Sequence, residues 1–412
     1  MAYGDGPDDE ALRAAWGRFC DRLRAAGDLA FKDHNPASGL HRADAFRFLT
    51  QNLGQAFDLA LETSNTAYPH IHAFCTPLRK LGADAADFSY QQAWIDGDHV
   101  YRISGTKGSA RFFNVTVQGP RPEIHPGTGA PSLHEPFGDV PEANLFGHQI
   151  ESEADGSFAL IVGGPQRESN WLPTTPGSRK LFIRQGFDCW DETPWALRIE
   201  RVGMDSPRPM PTPDEMIGAF DWAGQFVTGV MRDWPDHPYL YSGGAVDPAQ
   251  SNAFPPLPGS DGDSDNRRGR AVAVMVWSLA PDEALVVSFE PGDAFWMASL
   301  GGVFMNSLDY LYRSVSTTPC RARRDDDGKV RLVLCGEDPG FHNWLDTCGF
   351  EQGNLAIRTL MSASGPAIET RLVKRADLAA TLPANSARVT PQMRSVQLRD
   401  RFHGIQRQRF GL

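Results

Sequence analysis

The sequence lacks the marks of several large protein classes. No run of about 18 apolar residues occurs, so no membrane-spanning helix and no membrane partner are expected. The first stretch, MAYGDGPDDEALRAAWGRF, is acidic and carries neither the basic segment nor the apolar core of a secretory signal. Cysteine is sparse. Cys20, Cys75, Cys189, Cys320, Cys335 and Cys348 are scattered, with no C-x-x-C pair. That spacing argues against a zinc site. Without an export signal, it leads us to expect free thiols in a reducing cytoplasm. Positive charge is in deficit, with 40 Lys and Arg against 51 Asp and Glu and a net charge of −11. A nucleic-acid partner is therefore not expected. There is no G-x-S-x-G elbow, no H-E-x-x-H helix and no dinucleotide fingerprint after a strand. The turn Gly105-Thr-Lys-Gly108 lacks the spacing of a phosphate loop.

What is abundant is turn chemistry. The 412 residues include 40 Gly and 31 Pro, which suits a β-rich chain. Residues 8 to 62 read as helices: Leu12, Trp16, Phe19 and Leu23 share one helical face, and Phe46, Leu49, Leu53 and Phe57 another. From residue 88 the pattern shortens into strands broken by Asp96-Gly97-Asp98 and Gly105 to Gly108. Strands resume at Phe158–Val162, Lys180–Arg184 and Trp195–Ile199, then at Ala271–Trp277 and Ala284–Phe289. Residues 120–148 and 242–269 are Pro/Gly-rich and read as arms or linkers. Thr390 and Pro391 open a C-terminal helix rich in arginine, expected to be solvated or docked on another subunit.

One block pattern occurs twice. Asp155-Gly opens a strand that is followed by Asn170-Trp171-Leu172 and a Leu-x-x-Arg184 strand. Asp327-Gly does the same with Asn343-Trp344-Leu345 and Arg358. The Asp-to-Asn spacings are 15 and 16 residues, and Val100–Gly108 lies over Ala284–Gly292 at an offset of 184. The expected fold is mainly β with flanking helices (α+β), built on two related antiparallel jelly-roll-like β-sandwiches. We divide the chain into a helical segment (1–80), a first sandwich with its Pro/Gly arm (81–202), a helix and extended linker (203–270), a second sandwich (271–380) and an Arg-rich helix (381–412).

The segment 155–200, with its Asn-Trp-Leu-Pro turn and Ala-Leu-Arg-Ile-Glu strand, resembles bacterial proteins of domain-of-unknown-function family 1214. Leu81-Gly-Ala-Asp84 and Ile95–Gly105 resemble the upstream part of such proteins, and Glu337–Thr347 the matching part of longer members. The resemblance extends over roughly residues 80–375. It implies jelly-roll sandwiches, often in a homo-oligomer, and no settled activity. Cys348 in the second Asn-Trp turn is a departure from that pattern.

The repeat supplies an internal control, because residues present in both copies are expected to serve the fold. Asn170/Asn343 and Trp171/Trp344 belong to that class, although Trp344 is also a candidate for stacking on a ligand. Residues found only in the second copy are better candidates for chemistry. His342 and Asp346 bracket its Asn-Trp turn and could act as base and orienter, or as two metal ligands. The stretch Asn306–Arg313 has no counterpart in the first copy. Read as a strand, it would place Asn306 and Tyr310 on one face and Asp309 on the other. Glu290 with Asp309 would make a carboxylate pair suited to acid–base work on a glycoside. Arg358, Tyr310 and Asn306 would bind substrate. His70 and His72 have a spacing that suits a divalent metal but lack a placed third ligand, and no cofactor is otherwise expected. The expected function is hydrolase- or lyase-type chemistry on a small organic or carbohydrate-like substrate. The alternative is a noncatalytic ligand-binding or oligomeric assembly protein.

Overall fold

In a computed structural model, residues 6–33, 35–120, 139–235, 251–254, 270–362 and 365–411 are described. Most of the two Pro/Gly-rich arms, with His125 and His134, lies outside these residues. The end of the first arm does not: residues 139–146 form a strand.

The first sandwich has two sheets. One runs in the order β1 (His72–Cys75), β2 (Phe88–Trp94), β8 (Lys180–Gly186), β4 (Phe112–Pro120), β5 (Asp139–Phe146). The other runs β7 (Trp171–Leu172), β6 (Ser157–Val162), β3 (Tyr101–Thr106), β9 (Ala196–Arg201). Ile103, Val115, Leu160 and Ile183 fill the space between them. The second sandwich pairs β10 (Arg270–Ser278), β16 (Gln352–Leu360), β12 (Phe295–Gly301), β13 (Ser316–Thr317) with β15 (Trp344–Asp346), β14 (Val330–Cys335), β11 (Glu283–Phe289), β17 (Ile368–Lys374). Trp277, Leu285, Val287, Leu332 and Ile357 form its core. In each sandwich the Asn-Trp segment makes the parallel edge pair, β7 on β6 and β15 on β14, while the other ladders are antiparallel.

The sandwiches pack face to face. Phe88 and Phe112 on β2 and β4 meet Phe295, Met297 and Leu360 on β12 and β16. Gly186 permits this approach, because a Cβ there would lie 2.9 Å from Phe88 and 3.2 Å from Phe295. Every residue of β12 is buried, so it has no polar face and no alternation for a reader of the sequence to notice.

A helical layer covers one end. It comprises α1 (Asp9–Asp28), α2 (Gly39–Phe57) and α3 (Pro213–Asp233). Thr212 and Glu215 form a reciprocal capping box at the start of α3. Phe19, Phe48, Phe226 and Val230 pack with Phe74, Leu81 and Phe304. Trp16, placed by its spacing on the apolar face of α1, stands half out of this core and packs on Phe220.

A short helix α4 (Leu378–Thr381) leads to α5 (Pro391–Ile405), where Thr390 Oγ1 accepts the Met393 amide at 3.2 Å. The helix forms as its cap predicts, with Arg399 exposed, but Arg394 and Arg401 are not free. Arg394 binds Asp338 and the Phe341 carbonyl, and Arg401 binds Ser316. Both are buried against this same chain, where a cluster of backbone carbonyls and Asp338 takes their charge.

The thiol expectation is corrected at one pair. Cys189, on the loop after β8, and Cys320, on the loop after β13, form a disulfide with Cα atoms 5.5 Å apart. Their separation of 131 residues hid a contact made by two loops of different sandwiches. Cys20, Cys75, Cys335 and Cys348 are free. The thiol argument for a reducing compartment therefore loses two of its residues. Thiol titration of denatured, unreduced protein should count four thiols, rising to six after reduction. Six before reduction would contradict the bond. None of the described helices is long and apolar enough to cross a membrane.

Candidate active site

A cleft of about 230 Å³ opens between α2 and the second sandwich. Leu40, Ala43, Asp44, Arg47 and Gln51 line it from α2. The connection after β12 supplies Asn306, Ser307, Asp309 and Arg313, and the turn after β15 supplies Cys348 and Phe350. Lys80, from the connection between β1 and β2, reaches it from below.

Lys80 is only 3% exposed. Its ammonium group lies 3.4 Å from the centre of the Tyr310 ring and donates to Ser307 Oγ at 2.9 Å. Ser307 Oγ in turn donates to Asp84 Oδ2 at 2.6 Å, while the Ser307 amide donates to Asp84 Oδ1 at 2.9 Å. Burial lowers the Lys80 pKa to about 8, against the pull of Asp84, Asp309 and Cys75, while Arg47 adds to the lowering. Burial raises the Asp84 pKa, opposed by Lys80, Ser307 and Arg358. A lysine and a carboxyl are thus held on the two sides of one hydroxyl. Asp44 is a second carboxyl raised by burial, and its Oδ2 accepts Asn306 Nδ2 at 3.1 Å.

The backbone here is unusual. Ala83, Met305 and Cys348 are non-glycine residues with φ near +55°, at 57°, 54° and 58°. Side chains rarely adopt this region. The Ala83 amide donates to the Met305 carbonyl at 2.7 Å, tying the segment that carries Asp84 to the one that carries Ser307.

Of the residues proposed from sequence, Asp309 and Asn306 line the cleft. The segment holding them is not a strand. It is a turn in which Asp309 Oδ1 accepts the Leu311 and Tyr312 amides at 3.2 and 3.3 Å. Tyr310 is therefore not a substrate contact: its ring is 1% exposed and forms the floor under Lys80. Asp346 lies behind the cleft wall, where it binds Arg313 at 2.9 Å and the Cys348 amide at 2.7 Å. The Cys348 thiol is pushed up by burial and by Asp346, which disfavours a thiolate at neutral pH.

Arg358 sits beside Asp84 at a separate cavity of about 10 Å³ behind Ser307, roughly the space of one water, and donates to the Ala83 carbonyl at 2.7 Å.

The others do not join them. His342 Nε2 contacts the Arg321 carbonyl at 2.9 Å and its Nδ1 contacts Gln397 at 3.2 Å. Burial lowers its pKa, which favours neutral imidazole. Its neighbours are α5 and the loop before β14, so it does not pair with Asp309. Trp344 donates to the Cys335 carbonyl as Trp171 does to that of Gly163, both at 3.0 Å. Asn343 and Asn170 likewise bind both the amide and the carbonyl of one loop residue, Arg323 and Glu151. The shared residues hold loops, as the internal control suggests. Glu290 is exposed at the far end of β11, near the Gly328 turn, because Phe289 opposite Val330 fixes that strand's register. It makes no carboxylate pair with Asp309. Among the described residues, no three His, Cys, Asp or Glu side chains gather where a metal could bind, His70 and His72 included.

The fold and cleft define an α+β protein of two packed β-sandwiches under a helical layer, with a buried Lys–Ser–Asp chain beneath its opening. Residues 85–185 match the family described as "Protein of unknown function (DUF1214)", so the family resemblance read in the sequence holds over this stretch. An uncharacterized protein from Burkholderia cenocepacia has a similar structure. It is 29% identical, covers 89% of this chain and 98% of its own, and superposes with a TM-score of 0.78. A Vibrio parahaemolyticus protein aligns over 84% of this chain and 100% of its own at 12% identity, with a TM-score of 0.42. No curated protein matches.

Proposed function

We propose that this protein is an enzyme of hydrolase type that acts on a small polar organic molecule in the cleft under α2. The two sandwiches, on this reading, are copies of one jelly-roll unit, and only the second has acquired a site. The observation that carries the proposal is Lys80. A buried amine with a pKa near 8, hydrogen-bonded to a hydroxyl that is itself bonded to a buried carboxyl, costs stability that a purely structural core would avoid. Arg47 and Arg313 at the opening suit an anionic group, and Asp44 offers a second proton donor or acceptor. A carbohydrate substrate has less support, since Trp94, Trp190, Trp195, Trp277, Trp296 and Trp344 all lie off the cleft. The assembly reading rests on arms that lie largely outside the described residues.

The test is to plug the opening. Ala43 is exposed on α2, so Ala43→Trp should fold with an unchanged melting temperature. Turnover of whichever small esters, amides or lactones the wild type hydrolyses in a substrate panel should fall at least tenfold. Turnover unaffected by the plug would place the activity elsewhere and end this proposal.

A further inference from the structure

Resting on that reading, we infer that Ser307 is a nucleophile and that the substrate is an ester or amide carrying an anionic group. Ser307 lies in the wall shared by the cleft and the small cavity beside Asp84 and Arg358. Among the described residues, it is the one hydroxyl held between Lys80 and Asp84. Asp84 is placed to take its proton, and the Lys80 ammonium is placed to stabilise the oxygen left behind. A second observation points to a ligand. Asn306 lines both cavities, and its Oδ1 is buried without a hydrogen-bond partner, while its amide nitrogen is committed to Asp44. An unpaired buried acceptor is costly, and a substrate N–H or O–H would satisfy it.

The step balances without a cofactor. Ser307 Oγ bonds to the acyl carbon as its proton passes to Asp84 Oδ2. The carbonyl electron pair moves onto the oxygen and returns as the leaving alcohol or amine departs. The leaving group takes the proton from Asp84. Water then attacks the acyl-serine and gives a proton to Asp84, which returns it to Ser307 as the carboxylic acid leaves. The titratable and charged groups facing this hydroxyl and its partners are Asp84, Lys80, Asp309, Cys75, Tyr310, Arg47 and Arg358. Because the scheme needs the ammonium form of Lys80, activity should fall as pH rises through about 8.

The experiment treats the full chain with a fluorophosphonate, which phosphonylates an activated serine with loss of fluoride, and locates the adduct by tandem mass spectrometry. We expect it on Ser307, at least tenfold slower in Lys80→Met and absent in Ser307→Ala. Arg47→Ala should weaken hydrolysis of a p-nitrophenyl ester of a dicarboxylic acid about tenfold relative to its neutral analogue. No adduct on the wild type, or an adduct on any other residue, overturns the assignment whatever the variants do. If Ala43→Trp still lowers turnover at least tenfold in that case, the cleft reading survives and only the serine fails.

Discussion

Asp87→Asn should lower the unfolding free energy by about 3–5 kcal/mol, the range for breaking a buried ion pair by removing one partner. Asp87 sits where the two sandwiches meet. It binds Arg321 and accepts the Ser316 hydroxyl at 3.3 Å. Arg401 is buried close by, and Arg409 is half-buried beside it. Burial lowers the Arg401 pKa to about 9, with Arg321 adding to the effect and Asp87 opposing it. A guanidinium does not shed its charge near neutrality, so the variant must carry these charges with less compensation. Trp190, held between Arg321 at 3.9 Å and Arg401 at 5.0 Å, would offset only part of the loss. Urea unfolding at pH 7 measures the difference, with exposed Asp155→Asn as a control within about 0.5 kcal/mol. A loss under about 1 kcal/mol would mean that water reaches this joint and screens it.

The second large effect concerns Cys189–Cys320. Removing it with Cys320→Ala, or reducing it, should cost about 2–5 kcal/mol, because it closes a loop of 131 residues. The bond adjoins the same joint. Cys320 donates its amide to Asp188, and Gln408 binds the Cys189 carbonyl at 2.8 Å. Cys320→Ala and Asp87→Asn should therefore not add independently, and a double-mutant cycle should show a coupling above about 0.5 kcal/mol. A melting temperature equal with and without reductant would show that the bond contributes nothing.

Much of the fold was legible because its signals are local. Thr390-Pro391 marks a helix start, and the Asn-Trp turns recur with their strands at nearly equal spacing. What escaped was buried on both sides, like β12, or depended on partners far away. The stretch Asn306–Arg313 shows both outcomes. Its polar density pointed to a site, and Asn306 and Asp309 do line the cleft. Its alternation suggested a strand, whereas Asp309 folds it into a turn and turns Tyr310 inward. Lys80, Asp84 and Asp44 lie 227, 223 and 262 residues from their partners in that stretch, so no spacing pattern could have joined them. His342 misled because a histidine and an aspartate bracketing one turn can belong to separate networks.

The arginine helix has a consequence for how this chain is made. Arg401 on α5, and Arg407 and Arg409 just after it, bind the Ser316, Trp190 and Ala86 carbonyls, reaching β13 of the second sandwich and two loops of the first. These residues follow both sandwiches in the chain. On the ribosome, therefore, each sandwich can close while the seam between them still waits for its last bolts at Ser316, Trp190 and Ala86. During that interval, of the order of seconds at roughly 5–20 residues per second, the half-built molecule offers chaperones and aggregating neighbours a surface that the finished one never shows.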